Sequence, residues 1–483
     1  MKIKKDTEIN LMKYVDNIPV FSTPDKKCYA VIKRKNHIET VALHSRDFKR
    51  YLKNKIFSRR NKFPSNNQLT DIIDRLEYKA YSQRIEKNTH IRIANIKDKI
   101  ILDLCNQAGR VVIINKEGWK IENNSYINFI NPRGMLALPT PTKCNSRKVF
   151  RKLRKFINTD KNSFKLIISW LLGALAGKGP YPILVLLGEP GSGKSTVMEM
   201  LRSLIDPSSV PLRSLPRNER DLMITAEKNL VLAYDNVSAI PKWLSDAFCR
   251  ISTGGGLSTR ELYSDDGEIL FNVERPIILN GISDVVRKND LSDRAITVVM
   301  RTIKDTKRKP KDEFMENFNA EKPKFIGALC DGVSEALKNV NDVNLEQYPR
   351  MADFLKWVVA AENAVYKKSG KLEAAYMKNI KNMSATLVDS DYVGIAIKKL
   401  LKDNNGDWMG TPSGLLDKLE DCLPEDKKET ILHDNTWPKA PNALSSRLSE
   451  IAPDLRKIGI EYVKGRRKSH GRFIRLKWQK SKK

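Results

Sequence analysis

Residues Ile183–Thr196 read ILVLLGEPGSGKST. A short apolar run of β type, Ile183–Leu187, passes directly into Gly188-x-x-x-x-Gly193-Lys194-Ser195, and an amphipathic segment with Val197, Met198, Leu201 and Ile205 on one face follows. Strand, glycine loop and helix in that order predict a phosphate-binding loop. The glycines let successive backbone N–H groups converge on phosphate oxygens, and the helix N-terminus adds its positive dipole end. In this reading Gly188, Glu189, Pro190, Gly191, Ser192, Gly193, Lys194, Ser195 and Thr196 form the ATP-binding loop. Lys194 reaches the β- and γ-phosphates and the Ser195 hydroxyl ligates Mg²⁺. The bland alternative is a glycine-rich turn that binds no nucleotide.

Hydrolysis needs more than a loop. Leu230-Val-Leu-Ala-Tyr-Asp235 is an apolar strand ending in an acid, which suits Asp235 to hold Mg²⁺. Asn236 follows, where many such ATPases carry a glutamate base; an amide orients water but takes no proton, so the base stays open. Pro276-Ile-Ile-Leu-Asn280 is a second apolar strand ending in a polar amide, the expected place of a sensor for the γ-phosphate or the attacking water. Its alternative is a turn cap before Gly281. Arg294 stands just ahead of the strand Ala295–Met300, placed to reach the nucleotide of a neighbouring subunit or, alternatively, paired with Asp290 or Asp293.

The chain has 483 residues, enough for about three domains. Its formal charge of +30 points to a polyanionic partner. The most apolar stretch, Leu166–Ala176, is too short to span a bilayer and reads as a buried helix. Neither a secretory leader nor a membrane anchor is expected, and the location is cytoplasmic. Six scattered cysteines without a C-x-x-C pair, and five dispersed histidines, argue against structural zinc and against a disulfide framework.

Residues 1–145 read as a mixed α+β domain with strands near Tyr29–Ile32, Thr40–Leu43, Ile91–Ile96, Ile100–Leu104 and Val111–Ile114. Among them a helix-like stretch, Arg46–Lys62, carries eight Lys/Arg against one Asp, with Phe48, Tyr51 and Phe57 interleaved; it either lines a single-strand path or covers the domain. An α/β ATPase core is assigned to 146–305, a helical lid to 306–390 and a winged helix to 391–483. Lys304–Asp312 reads as a charged connection. Between Asp235 and Asn280 a hairpin is expected around Ser264-Asp-Asp-Gly267, with Arg260 and Tyr263 on its stem touching DNA. Near the C-terminus, Arg447 lies on a recognition-type helix, and Lys464, Arg466, Arg467, Lys468 and Arg472 ride a glycine-bounded wing. Wing contacts to phosphate and helix contacts to bases give duplex binding, the alternative being protein contacts.

The set GEPGSGKST, YDN, ILN and LSDR resembles the AAA+ helicases of bacteriophages and mobile genetic elements, which are similar to superfamily 3 and minichromosome-maintenance helicases. Ile251–Tyr263 (ISTGGGLSTRELY), Arg350-Met-Ala-Asp-Phe354 and the basic wing extend the likeness, which is most like replication proteins of staphylococcal pathogenicity islands and chromosomal cassettes. The resemblance implies an AAA+ P-loop fold and a hexameric ring of this chain. It further implies 3′→5′ unwinding on single-stranded and duplex DNA, Arg294 as a finger acting in trans and Arg350 as a second sensor. An origin-marking initiator using ATP only as a switch is the first rival. A primase-helicase is the second, although the N-terminal region lacks clustered carboxylates for two-metal chemistry.

Overall fold

A computed structural model of the chain describes residues 11–34, 37–124, 126–260, 268–271, 273–282, 289–367, 369–467 and 471–479. It carries sixteen strands in five sheets among the described residues. The first sheet is an antiparallel trio, β1 (Val20–Ser22), β2 (Cys28–Lys33) and β3 (Ile38–Ala42). Two helices cover it. Arg46–Arg60 buries Phe48, Leu52 and Ile56, four residues apart, and Asn66–Ser82 buries Leu69, Ile72, Ile73, Leu76 and Ala80. These side chains form a core of their own with Leu11, Val15 and Ile32.

The second sheet is a meander of β4 (Ile93–Ile96), β5 (Lys99–Asp103), β6 (Arg110–Asn115) and β7 (Gly118–Asn123). Alternation sorts its side chains to two faces. Ile100, Leu102, Val112 and Ile114 join the main core, whereas Ile101, Val111 and Ile113 pack under Ile127 and Phe129. The main core also takes in Lys161–Ala174, whose side chains from Phe164 onward are almost all interior, as the apolar run requires. Buried Arg92 fastens the meander to later parts of the chain: it donates to Asp206 at 3.3 Å and to the carbonyls of Asp103 and Leu136.

A wholly parallel sheet is built from β8 (Ile183–Leu187), β9 (Leu232–Tyr234), β12 (Ile277–Gly281) and β13 (Ala295–Val299), in the order β13-β8-β12-β9. Apolar on both faces, β8, β12 and β9 are the continuous runs a covered parallel sheet demands. Between β9 and β12, β10 (Leu257–Arg260) pairs antiparallel with β11 (Glu268–Phe271), Arg260 opposite Glu268. The expected turn Ser264–Gly267 and Tyr263 lie outside the described residues.

Helices Lys311–Asn339, Ala352–Ala360 and Lys371–Asp389 follow. The first is pressed onto the chain at Thr142: a Cβ on Gly327 would sit 2.0 Å from the Thr142 carbonyl oxygen. The C-terminal unit has helices Tyr392–Asp403, Pro412–Asp421, Lys428–His433 and Pro441–Lys457. Its sheet is β14 (Asp407–Gly410), β15 (Ile460–Arg467) and β16 (Gly471–Trp478), ordered β14-β16-β15. Thr411 caps the Pro412 helix by accepting from the Gly414 N–H at 3.1 Å. Leu444, Leu448, Ile451 and Leu455 form the buried stripe of the Pro441 helix, and the paired strands β15 and β16 come after it.

Candidate functional site

Three neighbouring strands deliver the polar groups to one edge. β8 ends at Leu187 and opens into the glycine loop, β12 beside it brings Asn280 opposite Leu186, and β9 beyond brings Asp235 just past Tyr234. Parallel α/β sheets place ligands at this carboxyl edge, where strand order reverses. Gly191 (φ 76°) and Gly193 (φ 82°) occupy the left-handed region, and the helix Lys194–Ile205 starts immediately after them. Buried Ser192 braces the loop by donating to the Glu189 carbonyl at 2.8 Å.

Lys194 folds back over the loop, its ammonium donating to the carbonyls of Gly188 at 2.7 Å and Glu189 at 2.9 Å. Partial burial pulls its pKa below the ordinary lysine value against the opposing attraction of Asp235. The Ser195 hydroxyl donates to Oδ1 of Asp235 at 2.9 Å. Asn280, 1% exposed, uses both ends of its amide: Nδ2 donates to the same Asp235 oxygen at 2.5 Å, and Oδ1 accepts the Asn236 backbone N–H at 2.7 Å. Its flip state is therefore dictated by its neighbours. Asn236 itself takes a left-handed backbone (φ 57°), which asparagine tolerates, and its side chain is exposed. One hydroxyl and one carboxylate within hydrogen-bonding distance, open to solvent and next to the glycine loop, fit Mg²⁺, which takes few protein ligands and keeps waters and phosphate oxygens.

Arg294 lies elsewhere. Its carbonyl accepts from the N–H of Ile183, the first residue of β8, and Ala295 pairs with Ile183 in the sheet. The glycine loop leaves the opposite end of that strand, about 17 Å away. The Arg294 guanidinium is held by Asp290, at 2.5 Å from Oδ1 and 2.9 Å from the backbone carbonyl. Arg350 grips the same carboxylate at 2.8 Å, so the structure brings these two arginines to one acid rather than to the loop. Burial opposes ionisation of Asp290, but the hydrogen bond from Arg294 and the two positive charges outweigh it and keep the carboxyl below its ordinary range. Cys249, beside Asp290, is pushed up to about 12 by burial and by that acid.

Other groups around the loop are absent from the sequence reading. Directly after β13, Thr302 donates to Glu189 at 2.9 Å, and Lys311 pairs with Glu199 of the loop helix at 2.7 Å. Arg308 overhangs the loop, with Nη2 2.8 Å from where a Cβ on Gly191 would stand. The stretch expected to be a charged connection is thus a strap across the glycine loop. Its basic residues were the only signal, and charge alone does not give position.

Among the DNA-contact expectations, Arg260 is on β10 without a described side chain, as is Arg467 on β15, while Tyr263 and Lys468 lie outside the described residues. Arg447 is committed to ion pairs with Asp391 and, at 2.8 Å, Glu450. Lys464, Arg466 and Arg472 are exposed on the wing strands. Lys457, at the end of the same helix, ties the unit to Asp293 of the core. Among the described residues no group of acids, cysteines and histidines forms a metal cluster, the cysteines are free, and no helix is long and apolar enough to cross a membrane.

Residues 148–383 match the family model of the actinomycete integrative conjugative element replication protein, and residues 393–483 match that of the RepA C-terminal domain from the same elements. The chain is thus similar to replication proteins of a mobile element. No curated protein matches it. Two apo structures of the NrS-1 C-terminal region are similar over 97% of this chain and 98% of theirs, at 15% and 16% identity and a TM-score of 0.40. A likeness at that score carries no weight for fold or chemistry.

Proposed function

We propose that this chain, similar to replication proteins of integrative conjugative elements, is an ATP-driven DNA helicase that unwinds such an element for its replication and also recognises its origin. The observation that carries the reading is the convergence of Lys194, Ser195, Asp235 and Asn280 at one sheet edge. Lys194 exchanges the Gly188 and Glu189 carbonyls for phosphate oxygens. Ser195 and Asp235 would hold Mg²⁺, which would supply neutralisation of the phosphate charge. Asn280, with its amide fixed by Asp235 and the Asn236 N–H, orients the attacking water or the γ-phosphate. Arg294 leaves Asp290 to complete the site of the next subunit in a hexameric ring, and Arg350 follows as second sensor. The strand passes 3′→5′ through that ring, and the wing residues Lys464, Arg466 and Arg472 hold duplex. The finer kinship with staphylococcal island proteins, and a cytoplasmic location, belong to the same proposal.

ATP hydrolysis by the purified chain, with and without DNA, tests the reading. DNA-stimulated turnover that Lys194→Ala abolishes supports it; turnover indifferent to DNA and to salt contradicts it. The exposed Asn236, which takes no proton, favours one second reading: slow hydrolysis that only switches assembly of an origin-bound initiator. Strand separation without any partner protein distinguishes the two.

A further inference from the structure

The Arg46–Arg60 helix turns a cationic face to solvent, opposite Phe48, Leu52 and Ile56. Arg46 and Arg50 are exposed there, Lys49, Arg59, Arg60 and, past the helix end, Lys62 are exposed around it, and Asp47 pairs with Arg50 at 3.9 Å. At the end of the helix Asn61 takes a left-handed backbone (φ 52°) and returns its N–H to the Phe57 carbonyl. Four residues on, Ser65 and Gln68 cap the next helix reciprocally. Between the two caps Phe63 is laid on Phe57 with ring centroids 4.3 Å apart and planes 17° from parallel.

Both rings stay wet, Phe57 at 38% and Phe63 at 58% exposure, although Phe48 nine residues earlier is fully buried. Scattered exposed apolar residues need no explanation. A stacked ring pair among cations is a different object. Flat aromatic faces stack on unpaired bases while lysines and arginines follow the phosphates. A duplex offers only base edges, in its grooves, and gives such rings nothing to stack on. The first half of the helix borders a cleft of about 1410 Å³, where Arg46, Arg50, Tyr51 and Asn54 face a mixed lining of Arg133 and Lys228 with Asp25, Glu227 and Glu274.

We propose that the Arg46–Phe63 surface binds single-stranded nucleic acid, Phe57 and Phe63 stacking on bases and Arg59, Arg60 and Lys62 contacting phosphates. Its biological sense rests on the replication reading above, but its measurement does not, because binding is read without nucleotide. The full chain is titrated against fluorescent oligothymidylate, with duplex of equal length and phosphatidylserine vesicles in parallel. Phe57→Ala with Phe63→Ala weakens oligothymidylate binding about tenfold and leaves duplex binding unchanged. Arg59→Ala, Arg60→Ala and Lys62→Ala together flatten the salt dependence of log K by about two. The proposal is overturned if the ring variant binds like the parent, or if it only melts earlier, as a helix-terminating contact would. Equal losses on strand, duplex and vesicles overturn it too. A chain that binds strand here yet hydrolyses no ATP refutes the motor and leaves this surface standing.

Discussion

Arg294 and Lys194 stand at opposite ends of β8: the Ile183 N–H donates to the Arg294 carbonyl at 2.8 Å, whereas the loop leaving Leu187 ends at Lys194. An arginine so placed has no route to its own chain's phosphates. If it takes part in hydrolysis, it does so across a subunit boundary.

Mixing two inactive variants reads that directly. Arg294→Ala is expected to lower turnover about 10³-fold while nucleotide still binds. Combined with Lys194→Ala chains, a fraction of sites receives an intact loop from one subunit and an intact arginine from the next, so activity returns in part. Steady-state ATPase over a mixing series shows a maximum at intermediate ratios; a flat line places the Arg294 effect elsewhere.

Asp290 holds both Arg294 and Arg350, and its behaviour with pH follows from the sign of its shift. The folded pKa is depressed, so the pairs stabilise the fold above the ordinary aspartate value near 3.9, and that contribution is lost as pH falls through the lower folded value. The acid is half exposed, which limits its worth to about 1 kcal/mol or less. Asp290→Asn therefore melts slightly earlier than the parent at neutral pH, and the gap closes in acid below about pH 4. A gap that widens on acidification contradicts this assignment.

Asn280→Ala removes the amide that joins Asp235 to the Asn236 N–H. A misplaced reacting group of this kind costs about 10²-fold in turnover. The loss is expected in kcat, with KM for ATP little changed, since Lys194 and Ser195 remain. Equal loss in nucleotide affinity assigns Asn280 to binding instead.

Much of this edge was legible because its chemistry is local. The spacing from Gly188 to Ser195 fixes loop and helix together, and apolar runs ending in Asp235 and Asn280 announce strands whose last residue meets solvent. The basic helix at Arg46, the Thr411 cap and the Pro441–Lys457 stripe were equally readable from capping and periodicity. Long-range partners were not. Nothing near Arg308 in sequence says that it overhangs Gly191, and Arg447 carries no mark of its ion pair with Asp391, 56 residues away. The stacking of Phe63 on Phe57 depends on the left-handed turn at Asn61, which composition does not reveal.

Gly191 tests the strap. A side chain there is strained by φ 76° and also meets Arg308 Nη2 at 2.8 Å. Gly191→Ala is expected to weaken binding of a fluorescent ATP analogue about tenfold, from roughly 1–2 kcal/mol of backbone strain plus the clash. Adding Arg308→Ala relieves the clash alone, so recovery is partial. Full recovery assigns the whole effect to Arg308; none assigns it to the backbone.

Strand displacement on a forked duplex, with the purified chain, ATP and Mg²⁺ and no partner protein, bears most directly on the central claim. The account predicts that the wild-type chain separates the strands and that Lys194→Ala does not, at equal DNA binding. A pure, DNA-bound, ATP-hydrolysing chain that leaves the fork intact would contradict it.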